Sequence, residues 1–223
     1  MAPIGKIYSY PGNFRVARAK ALAAMNGLEI EDAADFQMGV TNRSAEFLAK
    51  FPLGKVPAFE SADGKFFLTE GQAIARYVAE SGPKAGQLVG EDPATRALIE
   101  QWSCFAEQEV AAQVTPPLLM TLFKIIPFDE ARYQQCVANV ERAAKAVESH
   151  LSSGKQFLVG DHLTLADVMV AGVFQLATKF IVDKEMREGL PNLVAWLQRI
   201  LEVPEMKAAF GPLELCETRV KGQ

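Results

Sequence analysis

The segment Phe51-Pro-Leu-Gly-Lys-Val-Pro-Ala-Phe-Glu60, followed by Leu68-Thr-Glu-Gly-Gln-Ala-Ile74, decides the fold of this chain. A short apolar strand opens on the Val56–Pro57 bond, a tight turn follows, and a second short strand leads into a helix. Because proline has no N–H for a strand ladder, Pro57 is expected at a strand start or at an edge. The backbone groups of Val56 are then free to pair with an extended ligand.

The predicted helix begins near Gly71, with Glu70 directly ahead of it. The first turn of a helix has unpaired N–H groups and a partial positive charge, so it can bind a carboxylate. Glu70 itself has two interpretations, which the residues alone leave open. It is either an acid that stabilises the helix N-terminus or a carboxylate that binds a ligand.

The segments before this region alternate between strand and helix signals. Turn residues at 11–13 separate a first strand from an Ala-rich helix, which Gly27 ends. The resulting order, β-α-β-α-β-β-α, is typical of a small α/β domain. The predicted elements are a strand at Gly5–Tyr10, a helix at Phe14–Asn26, a strand at Leu28–Ala33, a helix from Ser44 to Phe51, two strands flanking 61–65, and a helix at Gly71–Glu80.

Strand signals stop after a glycine-rich stretch, residues 81–90, which is interpreted as a linker. Amphipathic helices follow, from Ala94 to about Met120, from Arg132 to Leu151 and around Trp196. Pro116 and Pro117 are expected to kink or break the first of them. Thr164-Leu-Ala-Asp167 fits a capping box at the start of an apolar helix, so Asp167 is interpreted as structural.

Composition excludes several classes of function. The chain has 223 residues, 49% of them hydrophobic and 22% charged, with a net charge of −4. These values are ordinary for a globular protein and give no reason to expect a nucleic-acid or membrane partner. The start of the chain has no secretion or organelle signal, and no apolar run reaches the ~18 residues of a membrane span. A cytoplasmic protein is expected.

The cysteines and histidines are too few and too scattered for most metal or redox sites. Cys104, Cys136 and Cys216 form no CxxC pair, and only His150 and His162 are available as histidine ligands. A disulfide framework, a zinc site and a histidine-centred triad are therefore not expected. Residues 9–15 contain no cysteine, which argues against thioredoxin-type redox chemistry.

The Lys55-Val56-Pro57 and Glu70-Gly71 motifs resemble the glutathione transferase family. Thr41 to Pro52, Phe157 to Asp161 and Leu213 to Glu217 are similar to the transferase-like domain of the translation elongation factor complex gamma subunit. The resemblance covers essentially the whole chain. It implies a thioredoxin-like α/β domain over residues 1–81 and an all-α domain over residues 91–223. It also implies a cis bond at Val56–Pro57.

The resemblance further implies a glutathione site. Glu70 would pair with the α-amino group of the γ-glutamyl arm, and the N–H of Gly71 would bind its α-carboxylate. The family pattern has a serine where this chain has Gly71, so one hydrogen bond is missing. Lys55 would bind the glycyl carboxylate, while Val56 and Pro57 would hold the cysteinyl backbone. Arg15 and Gln72 are weaker candidates.

The residue that activates the thiol is expected in the first βα turn, residues 8–13. Related transferases use Tyr, Ser, Cys or Asn there, and this chain offers Asn13 and Tyr10. Asn13 is equally compatible with a plain helix N-cap. Pro11 stands where serine-type classes are expected to have their serine, which is a departure from the pattern.

Two functions from different classes follow from the resemblance, besides a weaker third, a glutathione-binding ligandin or thiol reductase. The first is a glutathione transferase that uses glutathione as co-substrate, conjugates it to a small hydrophobic electrophile and forms a homodimer. The second is a non-enzymatic scaffold that associates with elongation factor subunits. The gamma subunit carries a further C-terminal domain that this sequence, ending at Gln223, does not include, and this is expected to favour the enzyme. The departures at Gly71 and Pro11 favour the scaffold.

Overall fold

The computed structural model describes residues 3–222; Met1, Ala2 and Gln223, at the outer ends of the two predicted domains, lie outside the described residues. The first part of the chain has the predicted element order, which is confirmed. Its elements are β1 Gly5–Tyr8, α1 Phe14–Met25, β2 Ile30–Asp32, α2 Ala45–Lys50, β3 Ala58–Ser61, β4 Phe67–Leu68 and α3 Gly71–Glu80, with a short 3₁₀ turn at Thr41–Arg43 before α2.

The four strands form one mixed sheet in the order β2-β1-β3-β4. β1 runs parallel to β2 and antiparallel to β3, and β3 runs antiparallel to β4. Tyr8 lies opposite Ala58, and Phe59 lies opposite Leu68. The chain therefore leaves β1, enters β3 and leaves β4 at the same end of the sheet.

Helices α1 and α3 pack against each other beside this sheet. Their buried faces carry Leu22, Ile74 and Val78, which join Ile7 and Phe59 of the strands in one core. Helix α1 begins where the Asn13 side chain accepts a hydrogen bond from the Arg15 N–H at 3.0 Å. It is followed by Gly27, whose φ of +66° is a conformation that glycine adopts without strain.

The rest of the chain is helical, as predicted. Helix α8 is its central helix and is buried along most of its length, with α5, α6 and α10 packed around it. The elements are α4 Ala85–Val89, α5 Pro93–Phe105, a π-helical turn Ala106–Ala111, α6 Ala112–Thr121, α7 Glu130–Leu151, α8 Leu165–Phe180, α9 Lys184–Arg187, α10 Pro191–Leu201 and α11 Pro204–Phe210.

The interpretation of residues 81–90 as a linker is wrong in part. This stretch contains α4, which packs on α3 and α5 and buries Leu88 and Val89. Glycine at its two ends suggested an open loop, but the apolar pair between them supplies a buried face. The division at residues 81 and 91 stays a prediction.

The expectation that Pro116 and Pro117 kink or break the helix is wrong as to the break, whereas a kink stays a prediction. Both prolines lie inside α6, which continues to Thr121. The irregularity lies upstream instead, in the π-helical turn Ala106–Ala111. Proline has no N–H, so the carbonyls four residues earlier, those of Ala112 and Gln113, receive no helical hydrogen bond from these positions. Both carbonyls come directly after the π-helical turn. The change of pitch thus precedes the prolines rather than coinciding with them.

Within residues 3–222, no helix combines the length and the apolar character that crossing a bilayer requires.

Candidate functional site

Most of the residues predicted to bind a ligand lie at one end of the sheet, where β1 ends, β3 begins and β4 ends. The Val56–Pro57 bond is cis, as predicted, and it enters β3 beside the end of β1. Among the described residues, the main chain of Val56 has no hydrogen-bond partner. Val56 is half-buried, Pro57 is buried and the Lys55 side chain is exposed. This arrangement leaves main-chain donor and acceptor groups available for an extended ligand.

Glu70 stands at the same end, between β4 and α3. Its φ of 64° and ψ of 115° are rarely adopted by a residue with a side chain. The side chain is exposed and contacts no hydrogen-bond or ionic partner within residues 3–222, and no side chain caps α3. Strained residues of this kind cluster at binding sites. The N-terminus of α3, beginning at the buried Gly71, is therefore open to an anion.

The βα turn lies between β1 and α1 and carries the predicted activating residues. Asn13 is only 4% exposed; its Nδ2 donates to Ser9 Oγ at 2.9 Å, and its Oδ1 caps α1. Both interpretations of Asn13 remain compatible, because Nδ2 carries a second hydrogen. Tyr10 is 45% exposed and projects from the turn. The interaction of Asn13 with Ser9 could not be read from the sequence.

Tyr8 is a poor candidate for thiol activation. Its hydroxyl donates to Glu60 Oε2 at 2.7 Å. Burial, together with the Glu60 carboxylate, raises the pKa of Tyr8 to about 12. Its ring packs edge-on against Phe47 and Phe51, so it supports α2.

An ionic cluster that the sequence analysis missed connects the two parts of the chain. Glu107 Oε2 accepts from Nε and Nη2 of Arg15 at 3.0 and 2.7 Å, and its Oε1 accepts from Nη1 of Arg18. Arg18 is fully buried and also donates to the Met169 carbonyl. The sequence places Arg15 and Arg18 one helical turn apart on the same face of α1, but it does not identify Glu107 as their partner.

The charges in this cluster perturb each other. Burial alone would raise the pKa of Glu107, but the charges of Arg18 and Arg15 outweigh it and hold that pKa below its usual range. Burial lowers the pKa of Arg18 to about 10, against the opposing effect of Glu107. Glu107 and Arg18 therefore both stay charged near neutral pH, and the cluster sets one carboxylate against two guanidinium groups.

Gln72, a weaker candidate for ligand binding, faces the helical part of the chain. Its Nε2 donates to Glu100 Oε1 at 2.7 Å, and Glu100 also pairs with Arg76. Gln72 therefore contributes to the contact between α3 and α5.

A cleft of about 700 Å³ opens beside the βα turn, between the first domain and the helices. Ser9 to Asn13 form one wall, so both predicted activating residues line it. The cleft is not lined by the five predicted binding residues that precede β3 or follow β4, namely Lys55, Val56, Pro57, Glu70 and Gly71. The other walls combine aromatic and apolar side chains with two ion pairs, namely Phe14, Phe36, Phe123, Leu176, Phe180, Phe210, Lys20–Asp32 and Lys179–Glu214.

The described residues, 3–222, contain no cluster of three or more His, Cys, Asp and Glu side chains able to hold a metal ion. The three cysteines are unpaired.

Two family models account for most of the chain. Residues 3–80 match the glutathione S-transferase N-terminal domain, and residues 110–204 match the C-terminal domain of the same family. The chain belongs to the glutathione transferase family. The predicted resemblance is thereby confirmed, and so is the fold class, a thioredoxin-like α/β domain followed by an all-α domain.

Relatives within the glutathione transferase family fall into two groups. The chain is 44% identical over 219 residues to the "Glutathione S-transferase-like protein LUC7" of Fusarium sp, covering 98% of both chains. It is 35% identical to "Elongation factor 1-gamma" of Artemia salina over 96% of this chain and 48% of that protein. The expected similarity to the elongation factor gamma subunit is thus confirmed.

Solved structures agree with the transferase fold. The GST-like domain of elongation factor 1-gamma from Saccharomyces cerevisiae superposes with a TM-score of 0.81 at 21% identity, covering 100% of both chains. The glutathione transferase URE2P6 from Phanerochaete chrysosporium, in complex with oxidized glutathione, gives a TM-score of 0.83 at 21% identity and covers 94% of this chain and 96% of that one. At these identities the likeness shows the fold.

Proposed function

We propose that this chain is a glutathione transferase that binds glutathione at the β1–β3–β4 end of the sheet and conjugates it to a small hydrophobic electrophile. One observation carries the proposal. One end of the sheet brings together three features of a binding site, beside a turn that opens into an aromatic cleft. They are the unpaired main chain of Val56, the strained and exposed Glu70, and the uncapped N-terminus of α3. Family membership makes glutathione the ligand that this arrangement fits.

Each end of the tripeptide finds a complementary group. The exposed carboxylate of Glu70 pairs with the α-amino group, and the N–H of Gly71 donates to the α-carboxylate at the helix N-terminus. The free main chain of Val56 extends the sheet edge by pairing with the cysteinyl residue. The exposed Lys55, next to Val56 in the chain, is the proposed partner of the glycyl carboxylate.

This placement directs the glutathione sulfur toward the βα turn. A free thiol has a pKa near ~8.5, and lowering it by about two units requires ~2.7 kcal/mol of preferential thiolate stabilisation. The second Nδ2 hydrogen of Asn13, the hydroxyl of Ser9 and the hydroxyl of Tyr10 are neutral donors at that turn, and the α1 N-terminus adds its dipole. Neutral donors give a modest pKa shift and hence slow conjugation.

The cleft on the far side of the turn is the proposed site of the electrophile. Its phenylalanine rings suit an apolar or aromatic molecule, which enters beside Tyr10 and Asn13. The thiolate forms a carbon–sulfur bond at the electrophilic carbon. The displaced electron pair leaves with the departing group or, in an addition, takes up a proton from water.

The test of thiol activation is the Asn13→Asp variant. Asp keeps an oxygen that can cap α1, so the thermal stability should be unchanged. It removes the amide donor and adds a negative charge beside the sulfur, so kcat for a generic electrophile should fall about 10- to 100-fold, the value of a hydrogen bond to a charged group. Ser9→Ala should reduce it less. Unchanged conjugation in Asn13→Asp would refute the assignment.

A second function, a non-catalytic scaffold with elongation factor subunits as partners, is favoured by two observations. Relatives at 35% identity are named elongation factor 1-gamma, and Gly71 lacks the hydroxyl of the family pattern. Glutathione binding without conjugation of any electrophile would support it, and absent glutathione binding would make it the better account.

A homodimer is part of the proposal. Both domains expose apolar side chains away from the cleft, namely Phe66 and Phe67 at the edge strand β4 and Leu98 on α5. Exposed apolar side chains on both domains are candidates for an interaction surface. Symmetric two-fold pairing would place such groups of one copy against those of another.

A further inference from the structure

The side-chain amide of Gln175 has a fixed orientation at one wall of the cleft. Gln175 lies on α8, is only 9% exposed and lines the cleft. Its Nε2 donates to two main-chain carbonyls, that of Phe210 at 2.9 Å and that of Pro212 at 3.2 Å. Turning the amide over would place its oxygen against two acceptors, so the nitrogen must face these carbonyls.

The oxygen of the same amide is left as a hydrogen-bond acceptor. Within residues 3–222, Oε1 of Gln175 has no hydrogen-bond partner, and it keeps accessible surface. Because the residue lines the cleft, Oε1 is available to a molecule bound there. A carbonyl oxygen accepts hydrogen bonds and cannot donate them, so this atom distinguishes a donor from an acceptor on the bound molecule.

The cleft wall around this oxygen is apolar. Leu176 follows Gln175 on α8, and Gly172 lies almost one turn before it. A β-carbon built on Gly172 would lie 2.8 Å from Cζ of Phe210, so that ring packs directly on the helix. In apolar surroundings a hydrogen bond is stronger than in water, and an acceptor that loses its water without gaining a donor is costly. The wall therefore penalises a molecule that leaves Oε1 unpaired.

The charged groups on this side of the cleft are paired with each other. Lys179 Nζ lies 2.7 Å from Glu214 Oε1, and both side chains line the cleft. The ion pair neutralises its own charge, so the wall does not select an ionic electrophile. Recognition on this side then depends on apolar contact and on the acceptor of Gln175.

We propose that Gln175 is a specificity-determining residue of the cleft, and that the electrophile is an apolar or aromatic molecule whose hydroxyl or amide N–H donates to Gln175 Oε1. This inference rests on the proposed transferase function and narrows its substrate class. The competing account is that Gln175 only fastens the end of α11 to α8 through Nε2, with water at Oε1.

Titration calorimetry of the full chain with S-benzylglutathiones tests the ligand side. The conjugates carry a hydroxyl or a methoxy group at the ortho, meta or para position, and unsubstituted S-benzylglutathione is the reference. At least one hydroxyl isomer should bind about 2- to 10-fold more tightly than its methoxy counterpart and the reference, the usual value of a neutral hydrogen bond, because methoxy cannot donate.

Two failures of this titration are distinguishable. If the reference conjugate binds but no hydroxyl isomer binds more tightly, the inference is overturned and the proposed function stands. If neither glutathione nor any conjugate binds, both are rejected.

Gln175→Met and Gln175→Glu form a matched pair that separates recognition from structure. Both variants lose the Nε2 donors and should have a lower Tm. Gln175→Met also removes the acceptor, so the hydroxyl preference should disappear, whereas Gln175→Glu keeps an acceptor and should keep the preference. Equal preferences in the two variants would show a merely structural role and overturn the inference.

A further control covers the case that Gln175→Glu does not fold. Arg219→Met removes the ion pair with Asp183 at 2.7 Å, which fastens the same C-terminal segment outside the cleft. The Tm should fall, while the hydroxyl preference should persist because Gln175 is intact. Loss of the preference in Arg219→Met would assign it to the segment rather than to Gln175 and would contradict the inference.

Discussion

Glu70 combines two properties that a purely structural residue would not need. Its backbone conformation is one that side-chain-bearing residues avoid, at a typical cost of about 1–3 kcal/mol. Its carboxylate remains exposed without a partner among residues 3–222. Because Glu70 lies between β4 and α3 at the candidate binding end of the sheet, we interpret the backbone strain as a cost of ligand binding.

Two substitutions of Glu70 separate strain from binding. Glu70→Ala and Glu70→Gly should both weaken glutathione binding by about 1.5–3 kcal/mol, because each removes the partner of the α-amino group. Only Glu70→Gly should raise the unfolding free energy, by about 1 kcal/mol, since glycine tolerates a positive φ. Calorimetry and denaturant unfolding measure the two effects, and equal stability of both variants would refute the role of strain.

Among the helical elements, the π-helical turn Ala106–Ala111 determines which carboxylate faces α1. It directs Glu107 to the buried Arg18, whereas Glu109 in the same turn pairs with the exposed Arg142. The two ion pairs differ in burial, which provides a matched comparison.

Glu107→Ala should lower the unfolding free energy by about 3–5 kcal/mol, because it leaves a buried guanidinium without its counter-ion. The control Glu109→Ala should change it by about 0–1 kcal/mol, the usual value of an exposed pair. Denaturant unfolding measures both. Similar losses in the two variants would contradict the account of the buried cluster.

Asp167 at the start of α8 is predicted to matter for folding rather than chemistry. Its Oδ1 accepts from the Leu158 N–H and its Oδ2 from the Thr164 N–H, both at 2.9 Å. Asp167→Asn must turn an NH₂ group toward one of these donors, so the unfolding free energy should fall by about 1–3 kcal/mol. Glutathione affinity measured well below the unfolding temperature should be retained; its loss would argue against a structural role.

The same residue gives the stability a pH dependence. Burial raises the pKa of Asp167 to about 6, although the hydrogen bonds from Leu158 and Thr164 oppose the shift. The unfolded value is about 3.9, so the native state binds the proton more tightly. Protonation of Asp167 therefore adds stability that is fully present below pH ~4 and is lost as the pH rises through ~6. The stability difference between wild type and Asp167→Asn should shrink over this range down to the hydrogen-bond part; a constant difference would contradict it.

The sequence predicted elements well where one local signal dominates. Asn13 before α1, Ser44 before α2 and Thr164 before α8 each marked a helix start that the structure has. It failed where tertiary packing decides: Leu88 and Val89 form a buried helix inside an apparent linker, and Pro116 lies within an unbroken helix.

The candidate site could be predicted only in part, for a similar reason. The motif at Val56–Pro57 and Glu70 identified the correct end of the sheet. Two antiparallel neighbouring strands place the start of β3 and the end of β4 at that same end. Contacts between residues far apart in the sequence carry no local signal. The pairing of Arg15 with Glu107, and of the Gln175 amide with Phe210, therefore emerged only from the structure.

For the complete molecule, α1 connects the two domains, since it packs against α3 on one side and against α8 and α11 on the other. The cleft lies along this contact, and the exposed rings at β4 lie on a different surface. The proposed substrate site and the proposed dimer interface therefore lie in separate regions.

Phe66→Glu should convert the predicted homodimer into a monomer, because a charge would be buried at the interface. Phe123→Glu is the matched control: this ring is also exposed, but it lines the cleft, so the dimer should persist. Light scattering at micromolar concentration reports both masses. A monomeric wild-type chain, or equal behaviour of the two variants, would contradict the assigned interface.

The central claim is that this member of the glutathione transferase family binds glutathione at the end of its sheet. Titration calorimetry of the full chain with reduced glutathione at neutral pH tests it most directly. The account predicts saturable binding of one glutathione per chain. The absence of saturable heat up to millimolar glutathione would contradict it.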